Sequence, residues 1–385
     1  MAGNLLLVHG GGPTAVINAS LYGAICQAKE EAQVDRIYAA IGGTGGLLAG
    51  NLKDITDVGQ EQLELLLHTP GSAIGTSRDE LEKEHYEAML PVFERFGIKY
   101  VLMNGGNGTM DTCGKICQAC AGTDIRVMGI PKTMDNDIAV TDHAPGFASA
   151  ARYIAQSVAE VCADVQGLPI HVVVIEACGR NAGWITAASA LARDCGVDGP
   201  DLIYLPERPF DEDRYIEDVK AVLEKKRGVV VVCSEGLTDK DGKNIVPPVF
   251  RSGRSTYFGD VSAHLAMLVI KRLGYKARSE KPGLIGRASM LHVSPVDQQE
   301  AIAVGREAVR ACVAGESGKM VALMREEGEA YRVRTELIDV HDVMLHEKKM
   351  PDSYINERGN GVTEAFVDWC RPLLGGELPK MISFK

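Results

Sequence analysis

The chain has 385 residues, of which 45% are hydrophobic and 24% charged, and its formal net charge is −11. This length exceeds what one hydrophobic core usually supports, so we expect two domains. The acidic balance disfavours nucleic acid or an acidic membrane surface as the main partner, since either requires a basic face. A small-molecule substrate is expected instead.

The N-terminal stretch MAGNLLLVHGGG has no positively charged lead, so it is interpreted as a buried strand and not as a signal peptide. No apolar segment approaches the roughly 18 residues of a membrane span. The ten cysteines form no regular framework, and the lone C-x-x-C pair, Cys117 and Cys120, lies in a helical pattern. We interpret them as buried thiols of a reducing compartment, which predicts a cytoplasmic, soluble protein.

Short β-rich apolar runs recur along the chain, and most end in glycine or a polar cluster before an amphipathic stretch. In chain order they are LLLVHGGG, RIYAAIGG, YVLMNGG, IRVMGIPKT, HVVVIEACG, LIYLPE and VVVVCSEG. Helical patterns cover Ile17 to Glu31, Met110 to Cys120 and Phe147 to Val165. Strands that alternate with helices indicate βαβ units and parallel sheets covered on both faces, so the predicted class is α/β.

Three glycine-rich turns follow predicted strands, at Gly10 to Thr14, Gly42 to Gly46 and Gly105 to Thr109. Glycine lets backbone N–H groups approach an anion, and the helix N-terminus that follows adds a favourable dipole. Such turns at the carboxyl ends of strands would converge on the crevice where open α/β sheets bind ligands. They indicate an extended phosphate-bearing ligand, although each turn alone is equally consistent with a simple tight turn.

The first turn also fits the dinucleotide fingerprint G-x-G-x-x-G/A, with Gly10, Gly12 and Ala15. That fingerprint requires an acidic residue at the end of the second strand to bind the ribose. Here the second strand ends in Gly42 and Gly43, so a nicotinamide-dependent oxidoreductase is a weak alternative.

The segment GIPKTMDNDIAVTDH places several carboxylates and a lysine directly after a predicted strand. If the chain stays extended, Asp135 and Asp137 point the same way, because side chains alternate with period two. Two carboxylates beside Lys132 suit phosphoryl transfer, in which one accepts a proton and the other holds magnesium. On spacing alone, an Asx-rich turn that caps backbone N–H groups is the better explanation.

Taken together, the motifs resemble the phosphofructokinase family. They appear in the family's order along nearly the whole chain: GGGPTAVINA, PGSAIGTSR, GGNGTMDT, GIPKTMDNDI, TDHAPGFASAARYIA, CGRNAGWITAASALA, CSEG and NERGNGVTEAF. The flanking sequences are most similar to the bacterial pyrophosphate-dependent branch. A GGDGT-type turn also occurs in the NAD kinase and lipid kinase group, which lacks the PKTMDND and GRNAGW segments and stays a minor alternative.

The resemblance implies two doubly wound, Rossmann-like domains with mainly parallel sheets and an active site in the cleft between them. It implies a donor-phosphate domain of residues 1–146 plus about 288–345, and a sugar-phosphate domain of 147–287 plus about 346–385. The implied reaction is phosphoryl transfer to the 1-hydroxyl of fructose 6-phosphate, giving fructose 1,6-bisphosphate in glycolysis. A homodimer or homotetramer that binds no nucleic acid and no membrane is expected.

The resemblance also assigns roles to individual residues. The catalytic set is Lys132, Thr133, Asp135 as general base and Arg180. The donor-binding set is Gly12, Arg78, Gly106, Asn107, Gly108 and Thr109. The sugar-phosphate set is Thr133, Asp135, Asp137, Cys178, Gly179, Arg180, Glu235, Arg278 and Arg287, and Mg²⁺ is the expected cofactor, held by Asn107 and Asp137.

Three residues depart from the family pattern. Asn107 stands where many members have an aspartate that helps to hold magnesium, and Cys178 replaces a common methionine. His171 stands where members often have an arginine that reaches the neighbouring subunit's sugar phosphate, which puts phosphate affinity or the sugar itself in question.

The donor is predicted from Gly108. In the family an aspartate at this position marks pyrophosphate users, because its side chain occupies the space that the α-phosphate of a nucleotide needs. Lys132 resembles the lysine of pyrophosphate users but also occurs in ATP users. Gly108 therefore favours ATP, with pyrophosphate as the alternative donor and a non-catalytic sugar-phosphate-binding protein as a further alternative.

Overall fold

The computed structural model describes residues 2–168, 172–252, 255–328, 330–344 and 346–384. It divides into two compact units, each built from two stretches of chain. Unit 1 comprises Met1–Ser149 and Arg287–Lys348, and unit 2 comprises Ala150–Gly286 and Lys349–Lys385.

The described residues form thirteen strands. They are β1 (Gly3–His9), β2 (Val34–Ala40), β3 (Leu52–Asp54), β4 (Ile98–Gly105), β5 (Arg126–Pro131), β6 (Val172–Ala177), β7 (Leu202–Tyr204), β8 (Val229–Ser234), β9 (Pro248–Ser252), β10 (Ser255–Phe258), β11 (Ala277–Glu280), β12 (Lys319–Arg325) and β13 (Val333–Asp339).

The same residues form thirteen α-helices. They are α1 (Ile17–Glu30), α2 (Gly43–Leu48), α3 (Gln60–Glu64), α4 (Lys83–Arg95), α5 (Asn107–Ala119), α6 (Phe147–Gly167), α7 (Trp184–Ala188), α8 (Glu212–Leu223), α9 (Val261–Leu273), α10 (Ile285–Ala288), α11 (Pro295–Ala314), α12 (Val340–Val343) and α13 (Glu364–Cys370). Short 3₁₀ segments occupy Leu65–His68, Ser189–Cys195, Asp352–Tyr354 and Arg371–Leu374.

Unit 1 is built on a seven-stranded sheet of order β13-β12-β5-β4-β1-β2-β3. Neighbouring strands run parallel except for β2 with β3 and β12 with β13. Both faces are buried: Leu5 and Leu7 of β1 belong to one core cluster, and Leu6 and Val8 to another. This period-two division explains why β1 reads as a continuous apolar run.

Helices α1 and α11 pack closely on one face of this sheet because glycine stands at their crossing. A Cβ atom on Gly23 would lie 2.2 Å from the carbonyl oxygen of Ile302, and one on Gly305 would lie 2.2 Å from that of Ser20. No other side chain fits there, so these two glycines determine the separation of the helices.

Unit 2 is built on a four-stranded parallel sheet of order β11-β6-β8-β7. Its main core cluster joins alternate residues of β6 and β8, such as Val172 and Val229, to Tyr215 of α8. Strands β9 and β10 pair separately as an antiparallel hairpin.

The predicted α/β class is confirmed, and each of the seven predicted apolar runs contains a strand. The three predicted helices are also present, although α5 begins at Asn107 and not at Met110. The sequence did not reveal β12, which pairs with β5 in unit 1. Among the described residues, no helix is long and apolar enough to cross a lipid bilayer.

Candidate active site

Three of the predicted motifs meet at one edge of the unit 1 sheet. Strands β1, β4 and β5 are parallel neighbours, with His9 paired to Asn104 and Gly105 to Pro131. The glycine-rich and PKT segments that follow these strands are joined by backbone hydrogen bonds, from Gly10 N to the oxygen of Asn104 (2.9 Å) and from Lys132 N to that of Gly105 (3.0 Å). The carboxyl ends of parallel strands are where open α/β sheets bind ligands.

Thr109, at the start of α5, explains why two of these turns need glycine. A Cβ atom on Gly10 would lie 2.3 Å from Thr109 Oγ1, and one on Gly105 would lie 2.1 Å from it. Thr109 is buried between the two turns and holds them together. Gly108 differs, because a Cβ atom there would meet nothing within 4 Å.

Three cationic side chains converge on the Gly11–Gly12 turn. Lys132 Nζ donates a hydrogen bond of 2.5 Å to the carbonyl oxygen of Gly12. A Cβ atom on Gly12 would lie 2.9 Å from Nη1 of Arg287 and 3.2 Å from Nη2 of Arg78. Among the residues that the structure describes, neither arginine forms an ion pair with a carboxylate. The turn is therefore surrounded by positive charge and suits a polyanionic ligand.

The electrostatics of Lys132 follow from this arrangement. Burial, together with the positive charges of Arg78 and Arg287, lowers the pKa of Lys132 to about 8, and Asp135 and Asp137 oppose this shift. His9, at the end of β1, has its pKa lowered to about 3 by burial and by Lys132, so its imidazole is neutral. Its Nδ1 lies 2.7 Å from Ser72 Oγ, a contact that the sequence pattern did not indicate.

Arg287 was expected as the last residue of the 147–287 stretch of the sugar-phosphate domain, and the observed division falls one residue earlier. In the structure Arg287 belongs to unit 1, and its guanidinium lies beside Gly12 and Arg78, both assigned to the donor. The division between the units falls inside α10, between Gly286 and Arg287.

The PKTMDND segment also differs from the extended chain that the period-two argument required. Strand β5 ends at Pro131, and Asn136 has a left-handed φ of 52°. The segment is therefore a compact turn. Thr133 Oγ1 accepts a hydrogen bond from Asp135 N at 3.1 Å and donates one to Asp137 Oδ1 at 2.9 Å.

Asp137 and Asn107, to which the resemblance assigns the metal, are hydrogen-bonded to each other. Asn107 Nδ2 donates to Asp137 Oδ2 at 3.1 Å and to the Asp137 carbonyl oxygen at 3.1 Å. Burial raises the pKa of Asp137, opposed by its hydrogen bond from Thr133. Asn107 Oδ1 is buried without a hydrogen-bond partner. The described residues contain no cluster of three or more His, Cys, Asp or Glu side chains that could hold a metal ion by themselves.

The third glycine turn, Gly42 to Gly46, does not present a free anion site. The carboxylate of Asp79 accepts hydrogen bonds from Thr44 Oγ1 (2.5 Å), from Ser77 Oγ (2.6 Å) and from the backbone of Gly45. These bonds lower the pKa of Asp79 against the effect of burial, which raises it. An internal carboxylate thus occupies the start of α2, where we had expected a phosphate.

Unit 2 places the second group of predicted residues at the ends of β6 and β8. Gly179 has a φ of 110°, and its N–H donates to Glu235 Oε1 at 3.3 Å. A Cβ atom on Gly236 would lie 1.7 Å from the Arg180 carbonyl oxygen, so the two turns are in direct contact. Arg180 is exposed, and its guanidinium carbon lies 5.6 Å from the centre of the Phe258 ring.

The remaining predicted residues of unit 2 lie around these turns. Cys178 Sγ lies 3.9 Å from the carbonyl oxygen of Gly283, and Arg278 is an exposed residue of β11, paired with Val173 of β6. Glu207, which the sequence did not indicate, accepts hydrogen bonds from Gly183 N in the GRNAGW motif and from Met350 N. His171 lies outside the described residues, so its departure from the family pattern stays a prediction.

Comparison with known proteins places this arrangement in context. The family model described as phosphofructokinase matches residues 4–312. The chain belongs to the phosphofructokinase family. It is 36% identical over 389 residues to pyrophosphate–fructose 6-phosphate 1-phosphotransferase of Rhodospirillum rubrum, covering 98% of this chain and 95% of that protein. It is also 34% identical to sulfofructose kinase of Alkalicoccus urumqiensis, covering 94% and 93% of the two chains.

A solved phosphofructokinase has the same fold. The crystal structure of pyrophosphate-dependent phosphofructokinase from Nitrosospira multiformis matches with a TM-score of 0.90 and 33% sequence identity, over 100% of this chain and 95% of that one. The two-domain α/β architecture expected from the motifs is therefore that of the family.

Proposed function

We propose that this protein transfers a phosphoryl group to the 1-hydroxyl of fructose 6-phosphate, with pyrophosphate as donor. The observation that carries the proposal is the convergence of Arg78, Lys132 and Arg287 on the Gly11–Gly12 turn, next to the loop that bears Asp135 and Asp137. Phosphoryl transfer depends mainly on positioning and on charge stabilisation, and this arrangement supplies both.

In the proposed reaction Asp135 accepts the proton of the sugar 1-hydroxyl. The oxygen attacks the nearer phosphorus of pyrophosphate, a new O–P bond forms, and the bond to the bridging oxygen breaks so that orthophosphate leaves. Lys132, Arg78 and Arg287 bind the donor and offset its negative charge, and Arg180 stabilises the transferred group. Arg278, Cys178, Gly179 and Glu235 are proposed to contact the sugar phosphate.

The metal is proposed to be Mg²⁺. The unpartnered Oδ1 of Asn107 and the carboxylate of Asp137 are oxygen ligands of the kind that hard divalent cations prefer, so the residues present fit such an ion. When bound, the ion would neutralise donor oxygens. Asn107, which replaces an aspartate common in the family, would hold it with a neutral oxygen.

Pyrophosphate ranks first because two of the relatives compared above, one of them a solved structure, carry pyrophosphate dependence in their names. The expectation of ATP, which rested on Gly108, is not supported over pyrophosphate by these relatives. ATP stays the second candidate because the space beside Gly108 is open, as a nucleotide α-phosphate would require.

The test measures kcat/KM with fructose 6-phosphate and Mg²⁺, with either pyrophosphate or ATP, and detects fructose 1,6-bisphosphate. A preference for pyrophosphate supports the proposal, and a preference for ATP replaces the first candidate with the second. Sulfofructose is assayed in parallel, because a relative is named for it. Failure to phosphorylate fructose 6-phosphate with either donor would overturn the sugar assignment.

The variant Gly108→Asp tests which donor the protein uses. The added carboxylate would place a negative charge near the donor phosphates, and like charges repel. We expect it to abolish any turnover with ATP and to spare turnover with pyrophosphate. Gly108→Ala, whose added methyl group meets open space, is the matched control for backbone and volume effects.

A further inference from the structure

The loop that carries the proposed general base has an unusual backbone. Asn136 and Val140 have positive φ values of 52° and 61°, although neither is glycine. Such conformations cost free energy and persist only where surrounding contacts hold them. The loop between Lys132 and Asp142 therefore needs support from another part of the chain.

Lys348 supplies that support from the C-terminal end of unit 1. Its ammonium group donates to the carbonyl oxygens of Thr141 (2.9 Å) and Asp142 (2.8 Å) and to Asn136 Oδ1 (3.2 Å). Its backbone N–H donates to the carbonyl oxygen of Asp137 at 2.8 Å. Next to it, Glu347 forms a β-bridge with Ile138.

These contacts include Asn136 itself and lie on both sides of Val140. Asn136 is fully buried, and its Oδ1 also accepts a hydrogen bond from Ala144 N at 3.2 Å. An ammonium group has three N–H donors, and three loop oxygens lie within its reach. A neutral or shorter side chain would leave those oxygens without their donor in a buried place.

We propose that Lys348 is a positioning residue, which holds the loop so that Asp135 and Asp137 keep their places for phosphoryl transfer. The kinetic part of this inference rests on the proposed function. Lys348 acts through the loop backbone and through Asn136. The sequence did not indicate this role, since Lys348 lies in a stretch, EKKMPDSYINERGNG, whose composition is typical of a loop.

The kinetic test compares Lys348→Met and Lys348→Arg with the wild type, with activities normalised to the folded fraction. For Lys348→Met we expect kcat to fall by roughly 10- to 100-fold, since small displacements of catalytic groups have effects of this order. The KM values for sugar and donor should change by less than about threefold, because the groups that bind them stay in place. The neighbouring exposed residue provides the control, Lys349→Met, with kinetics expected to match the wild type.

Lys348→Arg keeps N–H donors but not the compact geometry of the lysine Nζ, so kcat per folded molecule should fall. If Lys348→Met does not fold, the arginine variant alone provides the kinetic test. Wild-type kcat per folded molecule in the arginine variant would mean that the residue has only a structural role, and would overturn the inference.

Hydrogen exchange tests the positioning independently of any activity. We expect faster amide exchange in peptides covering residues 133–143 of either Lys348 variant, and unchanged exchange in Lys349→Met. Unchanged exchange in the loop of both Lys348 variants would overturn the inference. If the wild type fails to phosphorylate fructose 6-phosphate, the proposed function fails, but this exchange experiment still decides the role of Lys348.

Discussion

At the scale of single residues, Asp135 bears most directly on the proposed chemistry. Asp135→Asn removes a proton acceptor with almost no change in volume, so we expect kcat to fall by roughly 10² to 10⁴-fold with little effect on substrate affinity. Asp241→Asn, in an exposed turn, is the control for the loss of one carboxylate. Near-normal turnover in Asp135→Asn would remove Asp135 from the mechanism.

Lys132 leads to a prediction about pH. Because burial and the neighbouring arginines lower its pKa to about 8, the ammonium is present at lower pH and is lost as the pH rises through this value. We therefore expect kcat/KM for the donor to decline above about pH 8. In Lys132→Arg the guanidinium stays charged, so this decline should disappear.

Both proteins are assayed with the same donor, so that ionisation of the donor affects the two pH profiles equally. If kcat/KM for the donor changes with pH in the same way in the wild type and in Lys132→Arg up to pH 10, Lys132 does not titrate in this range.

Individual residues also show the limits of motif reading. The sequence indicated Thr133, Asp135 and Asp137 correctly as neighbours, but the reason is a compact turn and not an extended strand. Arg287 is expected among sugar-phosphate ligands because of its spacing from Arg278, a role that stays a prediction, and its side chain lies beside Gly12. Spacing along a chain does not determine where a long, flexible side chain ends.

At the scale of elements, the start of α6 depends on a carboxylate from α11. Asp297 is fully buried and accepts hydrogen bonds from Gly146 N, from Ser149 N and from Ser149 Oγ. It thus satisfies the backbone N–H groups that a helix start leaves without partners. Burial nonetheless raises its pKa to about 6, against these hydrogen bonds.

The raised pKa of Asp297 predicts how the free energy of unfolding changes with pH. A carboxyl group whose pKa is raised on folding favours the folded state when protonated, and this contribution is lost as pH rises from about 4 to about 6. We expect the stability advantage of the wild type over Asp297→Asn, measured by urea unfolding, to shrink by about 1.4 kcal/mol per pH unit across this window. Asp164→Asn, at an exposed position on α6, is the control for the loss of one negative charge. A stability advantage of the wild type over Asp297→Asn that grows with pH would contradict the raised pKa of Asp297.

At the scale of the whole molecule, the chain passes between the two units three times, after Ser149, Gly286 and Lys348. The last hundred or so residues therefore contribute to both units. They supply α11, β12 and β13 to unit 1, where α11 packs against α1 and β12 pairs with β5.

We expect a fragment of residues 1–286 to lack cooperative unfolding in urea, because unit 1 then loses one side of its sheet and the helix that covers α1. Deletion of residues 382–385 is the control, since Ile382 and Phe384 are 79% and 95% exposed. Cooperative unfolding of the fragment at wild-type denaturant concentration would show that unit 1 does not need its C-terminal segment.

The sequence alone determined the α/β class, the order of the apolar strands, the family and the identity of the glycine and carboxylate motifs. It could do so because burial on both faces of a sheet leaves a continuous apolar pattern, and because tight turns near a ligand restrict the residue type strongly. The sequence did not reveal strand β12, which pairs with β5.

Only the tertiary structure decided which of the candidate groups meet. It brought Arg78, Lys132 and Arg287 to the Gly11–Gly12 turn, filled the Gly42–Gly46 turn with the carboxylate of Asp79, and supported the carboxylate loop with Lys348. These contacts join residues far apart in the chain, and each depends on side-chain length and on the pairing of strands. Local sequence patterns carry neither kind of information, because they record what each segment prefers and not what it finally packs against.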